Sequence, residues 1–268
     1  KALWYKNKFV TSPFGFGPNT HVLKHGEKIY ALVEGGVSPV IMDSEMNFLE
    51  EEPFPAADNK RFTAHPKIDS DTGEMHAVSY DFGEYVNGLG QVHYVTIDSN
   101  GKLIKDQIIE TPSRPMVHDC AITKNYVLIF DLPVTFNLGR RDDDNNPIGG
   151  DYPVVWNDKH TSRVGLQSKK TDEIIWIEVN PGFLFHIVNS YENENGQVIL
   201  DFCRYERLFD FENPLPMGQK PFLTRWILDP KAKTCSEEML DDRPMEFSRV
   251  HPDYDGKQHR FGYLLNDG

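Results

Sequence analysis

Thr20-His-Val-Leu-Lys-His-Gly-Glu-Lys-Ile-Tyr-Ala-Leu-Val-Glu34 carries the pattern on which the fold turns. Two runs rich in β-branched and aromatic residues flank His25-Gly26-Glu27. A glycine between two such runs supplies the backbone freedom of a tight turn, so the stretch predicts a β-hairpin. Ser38–Met42 follows as a further short strand. Met75–Tyr80 and Val92–Ile97 form the next predicted pair, and Asp98-Ser-Asn-Gly101 turns the chain into Leu103–Ile109. The same punctuation recurs downstream: Cys120–Thr123 with Tyr126–Phe130, Arg163–Gln167 with Glu173–Ile177, and Ile187–Tyr191 with Val198–Phe202. Helical periodicity is scarce. Short antiparallel strands in serial hairpins favour a β-propeller over a sandwich, which would need long Greek-key connections. No strict period is present, which disfavours a WD40 or kelch array.

Asn137–Asn146 reads as a solvated polar loop rather than a linker, and no shift in composition marks a boundary. Residues 1–268 are therefore expected to form a single domain. With 39% hydrophobic residues the chain can bury a substantial core. Its 17 Phe and 11 Tyr suit the wall of a tunnel for an apolar ligand, although aromatics also favour strands for packing reasons alone. A formal charge of −13 repels phosphate backbones, so nucleic acid is not an expected partner. Cys120, Cys203 and Cys235 contain no Cys-x-x-Cys pair and read as reduced thiols of a cytoplasmic compartment. No apolar run is long enough to span a membrane, and Lys1–Lys8 lacks the apolar block of a secretory signal. A peripheral membrane contact through parts outside this chain is compatible with the sequence.

Three histidines stand in apolar-flanked segments: His65 in Phe62–Lys67, His118 in Met116–Thr123 and His186 in Gly182–Val188. They are separated by 53 and 68 residues, about one sheet-sized unit, which suggests one inward-pointing imidazole per unit around a common axis. Neutral imidazoles are good ligands for iron, copper, zinc and nickel. A single histidine in such a setting is more often simply buried and hydrogen-bonded; three at this spacing shift the weight towards a metal. Glu34 ends an apolar strand and Glu246 sits in Arg243-Pro-Met-Glu-Phe247. A buried glutamate needs a donor, and the N–H of a metal-bound imidazole is one; a solvated rim position is the alternative. Gly-x-Ser-x-Gly, the phosphate-loop motif and the dinucleotide fingerprint are all missing, leaving serine hydrolases, P-loop and nicotinamide enzymes without their parts; with 41 Asp plus Glu, the paired carboxylates of a glycoside hydrolase stay open.

These segments, together with Asn19–Gly36 and Asp242–Phe247, resemble in order those of the carotenoid cleavage oxygenases, a family that includes apocarotenoid and lignostilbene dioxygenases. The resemblance implies an all-β, seven-bladed propeller, of which this chain would cover about four to five blades. It implies a non-haem Fe(II) held by four histidines, three of them supported by glutamates. His65, His118 and His186 match three ligands, Glu34 and Glu246 match two of the glutamates, and Thr20 matches a threonine whose methyl approaches a vacant iron position. His251 and His259 do not match the fourth ligand, and the third glutamate has no counterpart, so the chain resembles the central portion of a family member. The implied activity is O2-dependent cleavage of a conjugated C=C bond into two carbonyl products. Val33 stands where lignostilbene-cleaving relatives carry a lysine that meets the substrate phenol, which favours an apolar carotenoid or apocarotenoid polyene over a stilbenoid. A non-catalytic propeller that binds an apolar ligand or a partner is the reading from another class.

Overall fold

The computed structural model describes residues 18–34, 39–51, 62–80, 90–136, 154–210 and 219–266. The expected loop at Asn137–Asn146, the terminal Lys1–Lys8 and the start of the Ser38–Met42 strand lie outside them. Four antiparallel sheets follow one another along the chain as blades of a propeller. The first is a meander of β1 (His21–His25), β2 (Lys28–Leu32), β3 (Val40–Met42) and β4 (Phe48–Glu51). The second contains β5 (Lys67–Ile68), β6 (Met75–Tyr80), β7 (Gly90–Ile97) and β8 (Leu103–Thr111). In the third, β9 (Ala121–Ile122) and β10 (Tyr126–Asp131) are followed by an excursion in which β11 (Val134–Phe136) pairs with β12 (Val154–Trp156). The chain then re-enters the same sheet as β13 (Arg163–Ser168) and β14 (Ile174–Glu178). The fourth is β15 (Phe183–Glu192), β16 (Val198–Tyr205), β17 (Phe222–Asp229), β18 (Thr234–Arg249) and β19 (Tyr263–Asn266). Among the described residues there is no α-helix, and none long and apolar enough to cross a membrane.

The opening hairpin forms as its sequence predicts. His21 pairs with Leu32 and His25 with Lys28. Gly26 holds φ at +57°, where a side chain is strained, and a Cβ there would meet Ser99 O at 3.1 Å. The tip of the first blade thus rests on the β7–β8 turn of the second.

The core lies between blades, which explains why β6 is buried at every residue while β8 alternates. Side chains alternate between the two faces of a strand. Along β6, Met75 and Ala77 join Tyr30, Leu32 and Ile41 of the first blade, while Val78 and Tyr80 join the cluster shared with blades three and four. β7 divides likewise: Val95 and Ile97 face the first blade, Val92 and Tyr94 the third. Each such fully buried Val, Ile, Leu or Met side chain contributes about 1.5–3 kcal/mol. A central blade is therefore stable only with neighbours on both faces.

Candidate metal centre

The histidines occupy equivalent places in successive blades. His65 lies two residues before β5, His118 lies three before β9, and His186 lies on β15. In each case the position belongs to the first strand of its sheet or the approach to it, and those first strands converge. One ligand nitrogen from each ring can be chosen so that all three lie within 4.8 Å of one another. The ring centroids are 4.7 Å apart for His65 and His118, 5.3 Å for His65 and His186, and 5.2 Å for His118 and His186. No other described group of His, Cys, Asp or Glu makes such a cluster.

Both glutamates singled out in the sequence stand behind these rings. Glu34 Oε2 is 2.7 Å from His118 Nδ1, and Glu246 Oε2 is 2.6 Å from His186 Nδ1. A carboxylate at Nδ1 holds the proton there and leaves Nε2 with its lone pair. His118 Nε2 and His65 Nε2 are buried and have no hydrogen-bond partner among the described residues. Orphaned, inward-turned imidazole nitrogens are costly unless something else satisfies them, and a metal ion fits the donor set. Burial is the largest influence on His65 and pushes its pKa down to about 2, partly opposed by Asp119, so that ring is a neutral donor. Burial also disfavours charge on His118, but Glu34 outweighs it and the pKa ends above the ordinary value.

Residues that the sequence did not announce complete the surroundings. Tyr80, buried on β6, donates its phenol to Glu34 Oε1, so Glu34 is held from both sides. A buried tyrosine requires a partner for its hydroxyl, which is the signal that could have identified it. Phe185 stands edge-on to His118 at 5.0 Å and to Tyr205 at 5.6 Å, and Phe247 lies 5.1 Å from the His186 ring. These aromatics are apolar neighbours of two of the rings. The space that Phe247 borders is mixed in character. A cavity of roughly 340 Å³ beside His65 and His186 is bordered by Lys67, Asp119, Arg249 and Asp255 as well as by apolar groups. Lys67 Nζ lies 2.9 Å from Asp119 Oδ1. Burial opposes the charge on each, yet their attraction prevails, raising the Lys67 pKa and lowering that of Asp119.

Thr20 is exposed, and its hydroxyl donates to Asn19 Oδ1; it makes no hydrogen bond to the cluster. Its neighbour His21 approaches instead, with a ring centroid 6.4 Å from that of His65 and Nδ1 donating to Ala64 O. His251 caps the short 3-10 turn at Pro252–Tyr254, and His259 packs against Asn189 and Tyr191. Neither belongs to the cluster, as the sequence suggested.

Residues 7–268 match the family described as RPE65, retinal pigment epithelial membrane protein. A carotenoid cleavage oxygenase of Mycobacterium tuberculosis is 32% identical over 99% of this chain and 64% of its own length. The structure superposes on a Pseudomonas brassicacearum lignostilbene dioxygenase with a TM-score of 0.79 at 27% identity, covering 95% of this chain and 54% of that one. A cobalt-substituted Synechocystis ACO gives a TM-score of 0.76 at 25% identity, over 92% and 53%. The chain thus spans between about half and two thirds of the relatives it matches.

Proposed function

The chain belongs to the RPE65 family, and from that premise we propose that the whole protein is a non-haem Fe(II) dioxygenase that cleaves a conjugated C=C bond of a carotenoid or apocarotenoid into two carbonyl products. The observation that carries this reading is the meeting of His65, His118 and His186 from three blades with their ligand nitrogens within 4.8 Å. A fourth histidine supplied from outside these 268 residues would complete the set. The chemistry that iron supplies when bound is activation of O2 next to the double bond.

The chain's own residues prepare that chemistry. Glu34 and Glu246 fix the tautomer and tilt of His118 and His186. Imidazole-only ligation leaves the cation's full charge, because the carboxylates stay one shell behind. Phe185 and Phe247 exclude water from the faces of two of the rings and offer π surfaces against which a flat polyene can lie. Thr20 is proposed to shape an open position with its methyl; Thr20→Ala is expected to retain the metal and alter turnover.

The similarity to a lignostilbene dioxygenase supports a second reading, a stilbenoid substrate. Val33 weighs against it, since a half-buried valine next to Glu34 offers a phenolate no cation. The test is metal analysis of the purified intact protein, followed by assay of apocarotenals and 4-hydroxystilbenes with products identified by mass. One iron per chain and apocarotenal cleavage are expected. Stoichiometric zinc without iron-dependent turnover would defeat the iron assignment. Cleavage of 4-hydroxystilbenes alone would overturn the substrate preference, and iron without cleavage of either class would favour a binding protein.

A further inference from the structure

The three imidazoles come from three separate blades, so their spacing depends on how those blades are held at the axis. Glu34 and Glu246 each orient one ring and do not connect the histidine segments to one another. Asp119 does. It follows His118 directly, and its carboxylate accepts the N–H of Ile187, the residue after His186, at 3.3 Å. The same carboxylate takes the ammonium of Lys67, two residues after His65, with Nζ 2.9 Å from Oδ1 and 3.3 Å from Oδ2. Oδ1 also accepts the N–H of Cys120 at 2.7 Å, fixing the carboxylate against its own backbone. The Asp119 side chain is 2% exposed and that of Lys67 17%. A second link runs parallel, from Cys120 Sγ to His65 O at 3.6 Å.

We propose that the Asp119–Lys67 pair is a positioning clamp that sets the mutual distances of His65, His118 and His186, and so the affinity and geometry of the metal centre. This rests on the reading that those three histidines hold a metal. One carboxylate reaches all three histidine segments at one or two residues from the ligand. In this buried setting the hydrogen-bonded carboxylate is tightly localised, because any movement would strand either the ammonium or the Ile187 amide.

The experiment uses the intact protein, metal-free, titrated with Co(II) against a competing chelator, with the visible absorption of the bound cobalt as a second readout. Asp119→Asn, Lys67→Met and the double variant are compared with wild type, and folding is checked by circular dichroism and thermal unfolding. The double variant removes both charges at once and keeps the protein folded if either single variant fails to fold. The clamp predicts that every folded variant binds Co(II) about 10–100-fold more weakly and has a shifted cobalt spectrum. It also predicts that the double variant recovers thermal stability without recovering affinity. Wild-type affinity and spectrum in the folded variants would overturn it. So would an affinity that returns to wild type along with thermal stability in the double variant. A wild-type protein that binds no cobalt at all would sink the metal reading itself, a distinct result visible before any variant is made.

Discussion

At the residue scale, the centre depends on a relay of hydrogen bonds. Tyr80 donates to Glu34 Oε1, and Glu34 Oε2 lies 2.7 Å from His118 Nδ1. Glu34→Gln keeps the volume but can present an amide N–H to the imidazole, disturbing its tautomer. Iron retention after dialysis against a chelator is expected to fall about 10–100-fold, with the circular dichroism unchanged. Tyr80→Phe removes one donor and leaves the carboxylate on His118, so a smaller loss of about fivefold is expected, the equivalent of one hydrogen bond worth about 1 kcal/mol. Equal retention in wild type and both variants would return Glu34 to a solvated rim role. Glu246 is less fully supported: its Oε2 bonds His186 Nδ1 and the Phe247 N–H, while Oε1 is buried with no partner among the described residues.

At the scale of strands and turns, blades are fastened to each other at their tips. Lys169, in the β13–β14 turn, meets Asp69 of the β5–β6 turn at 2.8 Å. Burial works against the Asp69 charge, but the hydrogen bond and charge of Lys169 prevail and hold its carboxyl below the usual range. A depressed carboxylate contributes stability that is fully present above its unfolded value near ~4 and disappears as pH falls through the folded value. Lys169→Met should therefore destabilise by about 1 kcal/mol at neutral pH and progressively less below pH ~4. Thermal unfolding of both proteins across that range checks it; a difference that persists undiminished at the acid end would contradict the assignment. Within the third blade, Gly165 on β13 opposes Trp176 on β14. A Cβ there would sit 2.5 Å from Ile174 Cδ1 and 2.9 Å from Trp176 Cζ3, and the Trp176 ring is held by Arg163 at 3.9 Å. Gly165→Ala is expected to cost about 1–3 kcal/mol in urea unfolding, the usual range for overpacking.

At the scale of the whole molecule, the three-histidine cluster exists only because blades two, three and four each deliver one ring to the same point. His118→Ala removes one ring of the cluster, the one backed by Glu34. Loss of iron and of turnover together is expected, measured by metal content and product formation on the intact protein. Because the core lies between blades, a disturbance of one propagates to its neighbours: β6 serves two interblade clusters at once. Unfolding of the described blades should accordingly be cooperative, with far-ultraviolet dichroism and tryptophan fluorescence giving one coincident transition; separated transitions would show blades behaving independently.

Much of this was legible in the linear chain. Every hairpin expected around Gly26, Gly101 and Gly196 is present, because a turn residue between β-rich runs acts locally. The three histidines and two glutamates were likewise identifiable, through their apolar flanks and ordered segments. β18, with seven charged side chains in Thr234–Arg249 and Pro244 within it, carries no comparable signal. β18 forms because β17 and β19 supply hydrogen-bonding edges on its two sides, and pairing of that kind needs no buried pattern in its own residues. The Tyr80 bond to Glu34 and the reach of Asp119 to Lys67 and Ile187 join residues 46, 52 and 68 positions apart. Sequence determines which side chains need a partner when buried. Only the packing of blades about a shared axis decides which partner each one meets, since that distance is set by the sheets between them.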